Sequence, residues 1–172
     1  MAAIGSRGAL HIRGHHTPAR LLYNIAIALA PRATRDGALL VVNDRVDIAL
    51  AAGLRAVQVG ERSFSVSDVR RIAPGLLVGE SVHHATGTSG DWVIAGHVFE
   101  TPIHATERPR GLEFVRAVAE RAGAPVIAIG GVKVSDVEPL QRAGAYGVAI
   151  IRGVWHAADS AQAVRDYLYF FP

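Results

Sequence analysis

The chain contains no cysteine. Disulfides, thiolate nucleophiles and cysteine-held metals are excluded, and a cytoplasmic, reducing compartment is the expected home. Lysine is nearly as scarce: Lys133 is the only basic residue other than arginine among the 18 lysines and arginines. It falls in a loop leading into a helical segment rather than on a strand, which argues against imine chemistry. Aromatic residues are 6% of the chain and the arginines are scattered, with short pairs such as Arg70 and Arg71. No basic stripe interleaved with stacking rings exists, so nucleic acid is not an expected partner. The longest apolar stretches, such as Leu21 to Ala30, fall short of the about 20 residues that a membrane-crossing helix needs. The N-terminus also lacks a basic-then-apolar export pattern, and no membrane partner is expected.

What is present is apolar material in a repeating order. Half of the 172 residues are hydrophobic, enough for one core without covalent staples, and a single domain over residues 1–172 is expected. Short apolar runs read as strands at Ala9 to Arg13, Leu39 to Val42, Ala56 to Val59, Leu76 to Ser81, Trp92 to His97, Val126 to Ile129 and Gly147 to Ile151. Most are continuous rather than alternating, as in parallel strands buried on both faces. Between them, helical segments are expected at Pro18 to Ala30, Arg45 to Ala52, Ser67 to Ile72, Leu112 to Ala122 and Ser160 to Tyr169. A further helix follows the Ser135-Asp136-Val137-Glu138 string, which has the spacing of a capping box, and Gly144 stands where a left-handed C-terminal residue is wanted.

The fold class implied is α/β, a TIM-type (βα) barrel. Too few residues precede Ala9 for another strand and helix, so the barrel is expected to lack its first βα unit. Residues 83–90 (His-His-Ala-Thr-Gly-Thr-Ser-Gly) are turn formers where the fifth helix would stand, so that helix is expected to be reduced to a loop. An incomplete barrel exposes strand edges, which favours a homo-oligomer.

Chemistry in such folds sits at the C-terminal ends of strands. Gly130 and Gly131 follow one strand and Ile151 and Arg152 follow the next, where glycine lets backbone N–H groups close on a phosphate. Tight turns need glycine for their own sake, and Arg152 is equally readable as an exposed rim residue. His97 closes an apolar strand with a side chain suited to proton transfer near neutrality; a hydrogen-bonded rim histidine is the competing reading. Asn43 and Asp44 leave another strand end, where Asp44 is readable as the cap of the helix that starts at Arg45, or, with Asn43, as a ligand to magnesium or a substrate amide. Asp47, one turn into that helix, is expected to face outward or pair with an arginine. Histidines also gather in sequence at His11, His15 and His16, and at His83 and His84, with His104 further on. Neither group has helical HExxH spacing, and no metal site is expected.

Four strings in this order, Val42-Asn43-Asp44-Arg45-Val46-Asp47-Ile48-Ala49-Leu50, Gly96-His97-Val98-Phe99-Glu100-Thr101, Arg110-Gly111-Leu112-Glu113 and Pro125-Val126-Ile127-Ala128-Ile129-Gly130-Gly131, resemble the thiamine phosphate synthase/TenI family from about Leu10 to Trp155. The resemblance implies a TIM barrel in which Leu10 to Arg13 form the second strand. Its synthase branch joins a pyrimidine diphosphate to a thiazole phosphate, using magnesium held by two aspartates, one in the Asn-Asp segment and one in a Gly-Gln-Glu-Asp segment. Here the latter reads Gly60-Glu61-Arg62-Ser63, so Asp44 remains while Ser63 replaces the second carboxylate beside Arg62. Synthases also tend to carry Thr-Lys where this chain has Thr101-Pro102-Ile103-His104. Magnesium favours carboxylate and phosphate oxygens, so these departures weigh against the synthase branch.

The Gly-His-Val-Phe string resembles the TenI-like branch instead. That implies an isomerase, a thiazole tautomerase that aromatises a thiazole carboxylate phosphate without a cofactor, with His97 as its acid/base. Arg13, Asn43, Ser81 and His83 would contact the substrate, and Gly130, Gly131, Ile151 and Arg152 its phosphate. The expected partner is a phosphorylated thiazole small molecule. The alternatives are a divergent thiamine phosphate synthase and a non-catalytic protein that binds a thiazole or thiamine phosphate.

Overall fold

The structure, a computed structural model, describes residues 1–171. It contains seven strands among the described residues: β1 (Ala9–Ile12), β2 (Leu39–Asn43), β3 (Ala56–Val59), β4 (Leu77–Val82), β5 (Trp92–Gly96), β6 (Val126–Ile129) and β7 (Gly147–Ala149). The helices are α1 (Ala19–Asp36), α2 (Val46–Ala51), α3 (Val66–Ile72), α4 (Gly111–Ala122), α5 (Val137–Arg142), α6 (Arg152–Trp155) and α7 (Ser160–Leu168). No helix separates β4 from β5, in line with the turn formers of residues 83–90. None of the described helices is long and apolar enough to cross a membrane.

The chain divides into two compact units, Met1–Gly79 and a second from Glu80 onward. In the first, β1 pairs with β2 and β2 with β3, all parallel. The register sets Ile12 beside Val42 and Asn43 beside Gln58, so the residues that leave these strands emerge at one edge. In the second, β5 pairs with β6 and β6 with β7, again parallel, with Gly96 beside Ile129 and Ile129 beside Ala149. His97, Gly130 and Ile150 are therefore the first residues beyond one common edge. Parallel strands of consecutive number joined through helices form an α/β fold of the TIM type.

Each unit has its own apolar core. The first centres on Val42, Val57, Val69, Val78 and Ala49, and the second on Val93, Val115, Val118, Val137 and Leu140. All four residues of β3 are buried, which explains why that strand reads as an unbroken apolar run apart from Gln58. Each such side chain contributes about 1.5–3 kcal/mol relative to exposure.

Helix ends depart from the sequence reading where local signals competed. The first helix was expected to end at Ala30, yet α1 passes Pro31 and runs to Asp36. Proline removes the N–H that Ile27 would receive, but Ile27 is 43% exposed, so water can serve its carbonyl. The actual stop is Gly37, left-handed at φ 74°, whose N–H is directed at the carbonyls of Ala33 and Thr34. The Ser135–Glu138 capping box does not form. Instead the Asp136 carboxylate accepts the backbone N–H of Lys133 at 2.8 Å, two residues earlier than expected. The reciprocal box is at Ser65 and Asp68, ahead of α3. The last strand, expected to reach Ile151, ends at Ala149; Ile151 precedes the short helix α6 and Arg152 begins it.

Candidate functional site

At the strand ends of the first unit, Asp44 adopts a left-handed conformation, φ 65°, which aspartate tolerates better than most residues. Its N–H donates to the Gln58 carbonyl at 2.8 Å. Asp44 does not cap α2, whose N-terminal flanking residue is Arg45 with no side-chain cap. Its carboxylate instead accepts the hydroxyl of Ser63. Ser63 in turn accepts the Gly60 N–H at 3.1 Å, and its own N–H donates to the Gly60 carbonyl at 2.9 Å. The loop after β3 is thus fastened to the loop after β2.

The same residues decide whether a magnesium ion held by two carboxylates fits here. The second carboxylate is replaced by an uncharged hydroxyl that already donates to Asp44. A hydroxyl offers a hard cation no negative charge, and Arg62 beside it adds a positive one. The residues do not fit such an ion, and no chemistry is derived through it.

Asn43 accepts the Nδ1 proton of His11 at 3.3 Å. Burial pushes the His11 imidazolium below the usual histidine range, and the bond to Asn43 opposes that shift only in part. Burial thus favours the neutral ring, which donates from Nδ1 to Asn43. Arg13, by contrast, turns to His15, with Nη2 2.8 Å from Nε2, at an exposed position. Asp47 accepts two bonds from Arg45, at 2.9 and 2.5 Å, which hold its carboxyl below the usual carboxylate range. It is a solvated pair, worth little to stability.

The strand ends of the second unit are more densely connected. His83 donates its Nδ1 proton to the Gly96 carbonyl at 3.1 Å, which ties the loop after β4 to the end of β5. Within that loop the Thr88 hydroxyl donates to Glu80 and its oxygen accepts the Gly90 N–H at 2.9 Å. Ser81 is half-buried near the end of β4. His97 follows a cis peptide with Gly96 and is 6% exposed. Its ring stacks on His104, centroids 4.5 Å apart with planes 2° from parallel. Its Nε2 is buried without a hydrogen-bond partner.

His104 Nδ1 lies 2.8 Å from a Glu107 carboxylate oxygen. The bond from His104 lowers the Glu107 carboxyl below its ordinary range, with His97 and Arg110 adding to the effect. Histidines that are neighbours in sequence thus do not converge here, whereas His97 and His104, seven apart, do. A 3-10 turn at Pro102–His104 folds the chain back to bring them together. The sequence spacing gave no sign of this group: His97, His104 and Glu107 can each bring a ligand atom within 4.8 Å of the others.

Gly130 and Gly131 have φ of 102° and 68°. A Cβ on Gly130 would stand 2.4 Å from the His97 Cβ, and one on Gly131 would stand 2.3 Å from the Glu100 carbonyl oxygen. The glycine turn is thus seated against the His97–Glu100 segment. The two glycines are required by packing as well as by any ligand. Gly131 also lines an open cleft of about 360 Å³ with Phe99, Glu100, Lys133 and Asp136. Arg152 reaches the same segment, its Nη2 3.3 Å from the Thr101 hydroxyl. The sequence reading named His104 without bringing it to His97, and it passed over Glu107 and the buried Gln58, which is 1% exposed on β3. A polar residue inside an otherwise continuous apolar strand was the available signal.

The chain is thus an α/β protein of the TIM type, with a glycine turn beyond β6 and an arginine beyond β7. The family model described as thiamine monophosphate synthase (TMP-TENI) matches residues 1–154. The chain belongs to the thiamine monophosphate synthase/TenI family, an enzyme family of thiamine biosynthesis.

It is 35% identical over 166 residues to a thiamine-phosphate synthase of Gloeobacter violaceus, covering 92% of this chain and 49% of that one. The chain therefore spans about half the length of that relative. It is 33% identical over 168 residues to a thiamine-phosphate synthase of Pyrococcus furiosus, covering 94% of this chain and 81% of the other. The solved structure of thiamine phosphate pyrophosphorylase from Pyrococcus furiosus superimposes with a TM-score of 0.87 at 31% identity, covering 98% of this chain and 85% of that one.

These relatives overturn the tautomerase expectation. That reading weighted one loop, Gly96 to Thr101, and the changes at Ser63 and His104. Likeness extending over nearly the whole chain points instead to proteins named as synthases.

Proposed function

We propose that the chain acts as a thiamine-phosphate synthase. The reaction is a group transfer in which the pyrimidine's bond to its diphosphate breaks, a bond to the thiazole phosphate forms, and pyrophosphate leaves. The observation that carries this reading is identity of 33% sustained over 81% of a Pyrococcus furiosus protein of that name.

In the second unit, Gly130 and Gly131 would offer backbone N–H groups to a phosphate, and Ile151 and Arg152 would approach it from the end of the adjacent strand. The support is the parallel pairing of β6 with β7, which brings those two ends to one edge. Arg152 would add a charge-assisted bond. His83, fixed by its bond to Gly96, presents its Nε2 as an acceptor beside that edge, and Ser81 precedes it on β4. In the first unit, Asn43 and Arg13 are the groups proposed for polar contact with a substrate. Asn43 is already oriented by His11.

Purified protein is to be mixed with the pyrimidine diphosphate and the thiazole phosphate. Thiamine phosphate is then read by oxidation to its fluorescent thiochrome form, with pyrophosphate measured in parallel. Equal amounts of both products are expected. The second reading, a protein that binds the phosphate ester without coupling, is favoured by the Ser63–Asp44 bond where a second carboxylate is wanted. Saturable binding of the thiazole phosphate with neither product would select it.

A further inference from the structure

The group formed by His97, His104 and Glu107 lies entirely within the second unit and plays no part in the coupling reaction as proposed. From its donor set we infer that it is a binding site for a first-row divalent transition ion of the zinc class, one ion per chain. Two imidazoles and one carboxylate form a ligand set suited to such ions, with remaining positions left to water or an anionic oxygen.

Two independent observations carry the assignment. The first is convergence: one ligand atom from each residue lies within 4.8 Å of the others, before any ion draws them in. The second is the orphaned Nε2 of His97, buried in a side chain that is 6% exposed and without a partner. A buried nitrogen with no partner is costly to the fold, and in the tautomer that carries its proton on Nδ1 the Nε2 lone pair can be satisfied by a metal ion.

The three residues also divide the work sensibly. His97 is the buried, fixed ligand, set against Gly130. His104 and Glu107 are more exposed, with side chains 38% and 56% accessible. They can swing the short distance needed to reach nitrogen and oxygen bond lengths of about 2.0–2.2 Å. Their mutual bond already turns the Glu107 carboxylate toward His104. Two features oppose binding: the stacked His97 and His104 rings are 2° from parallel, so the exposed His104 ring must turn before both in-plane lone pairs meet one ion, and the Arg110 guanidinium is close enough to influence Glu107. Its charge moderates the affinity, and a dissociation constant of about 10 µM or tighter is expected rather than the far tighter binding of closed structural zinc sites.

The test uses the untagged chain, stripped with a chelator and titrated with Co²⁺ and then Zn²⁺. Visible d–d absorbance reports Co²⁺ coordination, and calorimetry reports stoichiometry. One equivalent of Co²⁺ should bind with four- or five-coordinate absorbance and be displaced by one equivalent of Zn²⁺. His104→Ala and Glu107→Gln alter accessible side chains, and circular dichroism verifies their folds. Each should weaken Zn²⁺ binding by at least about 10–100-fold, the loss seen even for outer-shell partners of metal ligands. His97→Gln provides the buried ligand's test if it folds. His84→Ala and His156→Ala, at exposed positions outside the group, should leave the affinity unchanged.

Failure of the wild type to bind Zn²⁺ below about 100 µM would overturn the assignment. So would binding that survives His104→Ala or disappears with His84→Ala. Because the readout is metal occupancy, the result stands whether or not the coupling reaction is observed.

Discussion

Replacing Ser63 by aspartate restores the second carboxylate that magnesium coordination in this family uses, and its effect is calculable from the Asp44 contact. In the wild type the Ser63 hydroxyl donates to Asp44. Ser63→Asp removes that donor and sets two negative charges side by side. At about 4 Å such charges repel by about 4 kcal/mol at an effective permittivity near 20, and by about 1 kcal/mol in bulk water. Ser63 is only half-buried, so a loss of about 2 kcal/mol is expected without metal.

For a domain of this size, that corresponds to a fall in Tm of roughly 4–8 °C. Magnesium at about 100 times its dissociation constant would return about 2.7 kcal/mol through binding to the folded state alone. Thermal unfolding followed by circular dichroism, with and without 10 mM magnesium chloride, supplies the assay (about 10 mM being ample for a weak oxygen site). The variant should be destabilised without the ion and recover with it, while the wild type shifts by less than about 1 °C. Equal magnesium shifts in both proteins would refute the reasoning. So would a variant as stable as wild type that ignores the ion.

Two further perturbations probe the strand ends. Gly131→Ala would place a methyl 2.3 Å from the Glu100 carbonyl oxygen and 2.9 Å from the Phe99 carbonyl carbon, at φ 68°. It should cost about 2–4 kcal/mol in urea unfolding, and a change under about 0.5 kcal/mol would contradict the geometry. His11 has its folded pKa depressed below 6.5 by burial. The unfolded chain therefore binds the proton first, and the His11 contribution is fully present above about pH 6.5 and lost as pH falls through the folded value. Unfolding free energies measured from pH 7.5 down to pH 5 should fall less steeply in His11→Gln than in wild type; parallel slopes would remove His11 from the account.

Strand positions were legible because burial on both faces leaves a continuous apolar run, and Ala56–Val59 and Val126–Ile129 coincide with the observed strands. Helix ends were less so. Pro31 is a strong local breaker, yet an exposed face let the helix pass it, and the decision fell to Gly37 six residues later. Asp44 carried an ambiguous pattern, since aspartate before a helix is the usual cap. Only the three-dimensional approach of the loop after β3 shows that its partner is Ser63.

His97 was visible from its strand-end position, but its meeting with His104 and Glu107 was not, because they reach it through a turn with no regular spacing. The functional expectation failed for a related reason. A few residues in loops were allowed to outweigh a likeness spread over the whole chain, although a fold sets position more firmly than it sets reaction.

The measurement that bears most directly on the proposed activity is the initial rate of coupling between the pyrimidine diphosphate and the thiazole phosphate, run beside the Pyrococcus furiosus relative under identical conditions. Formation of thiamine phosphate with an equal amount of pyrophosphate, saturating in both substrates, is the result predicted. Turnover by the relative alone, with neither product from this chain at any magnesium concentration, would contradict the assignment.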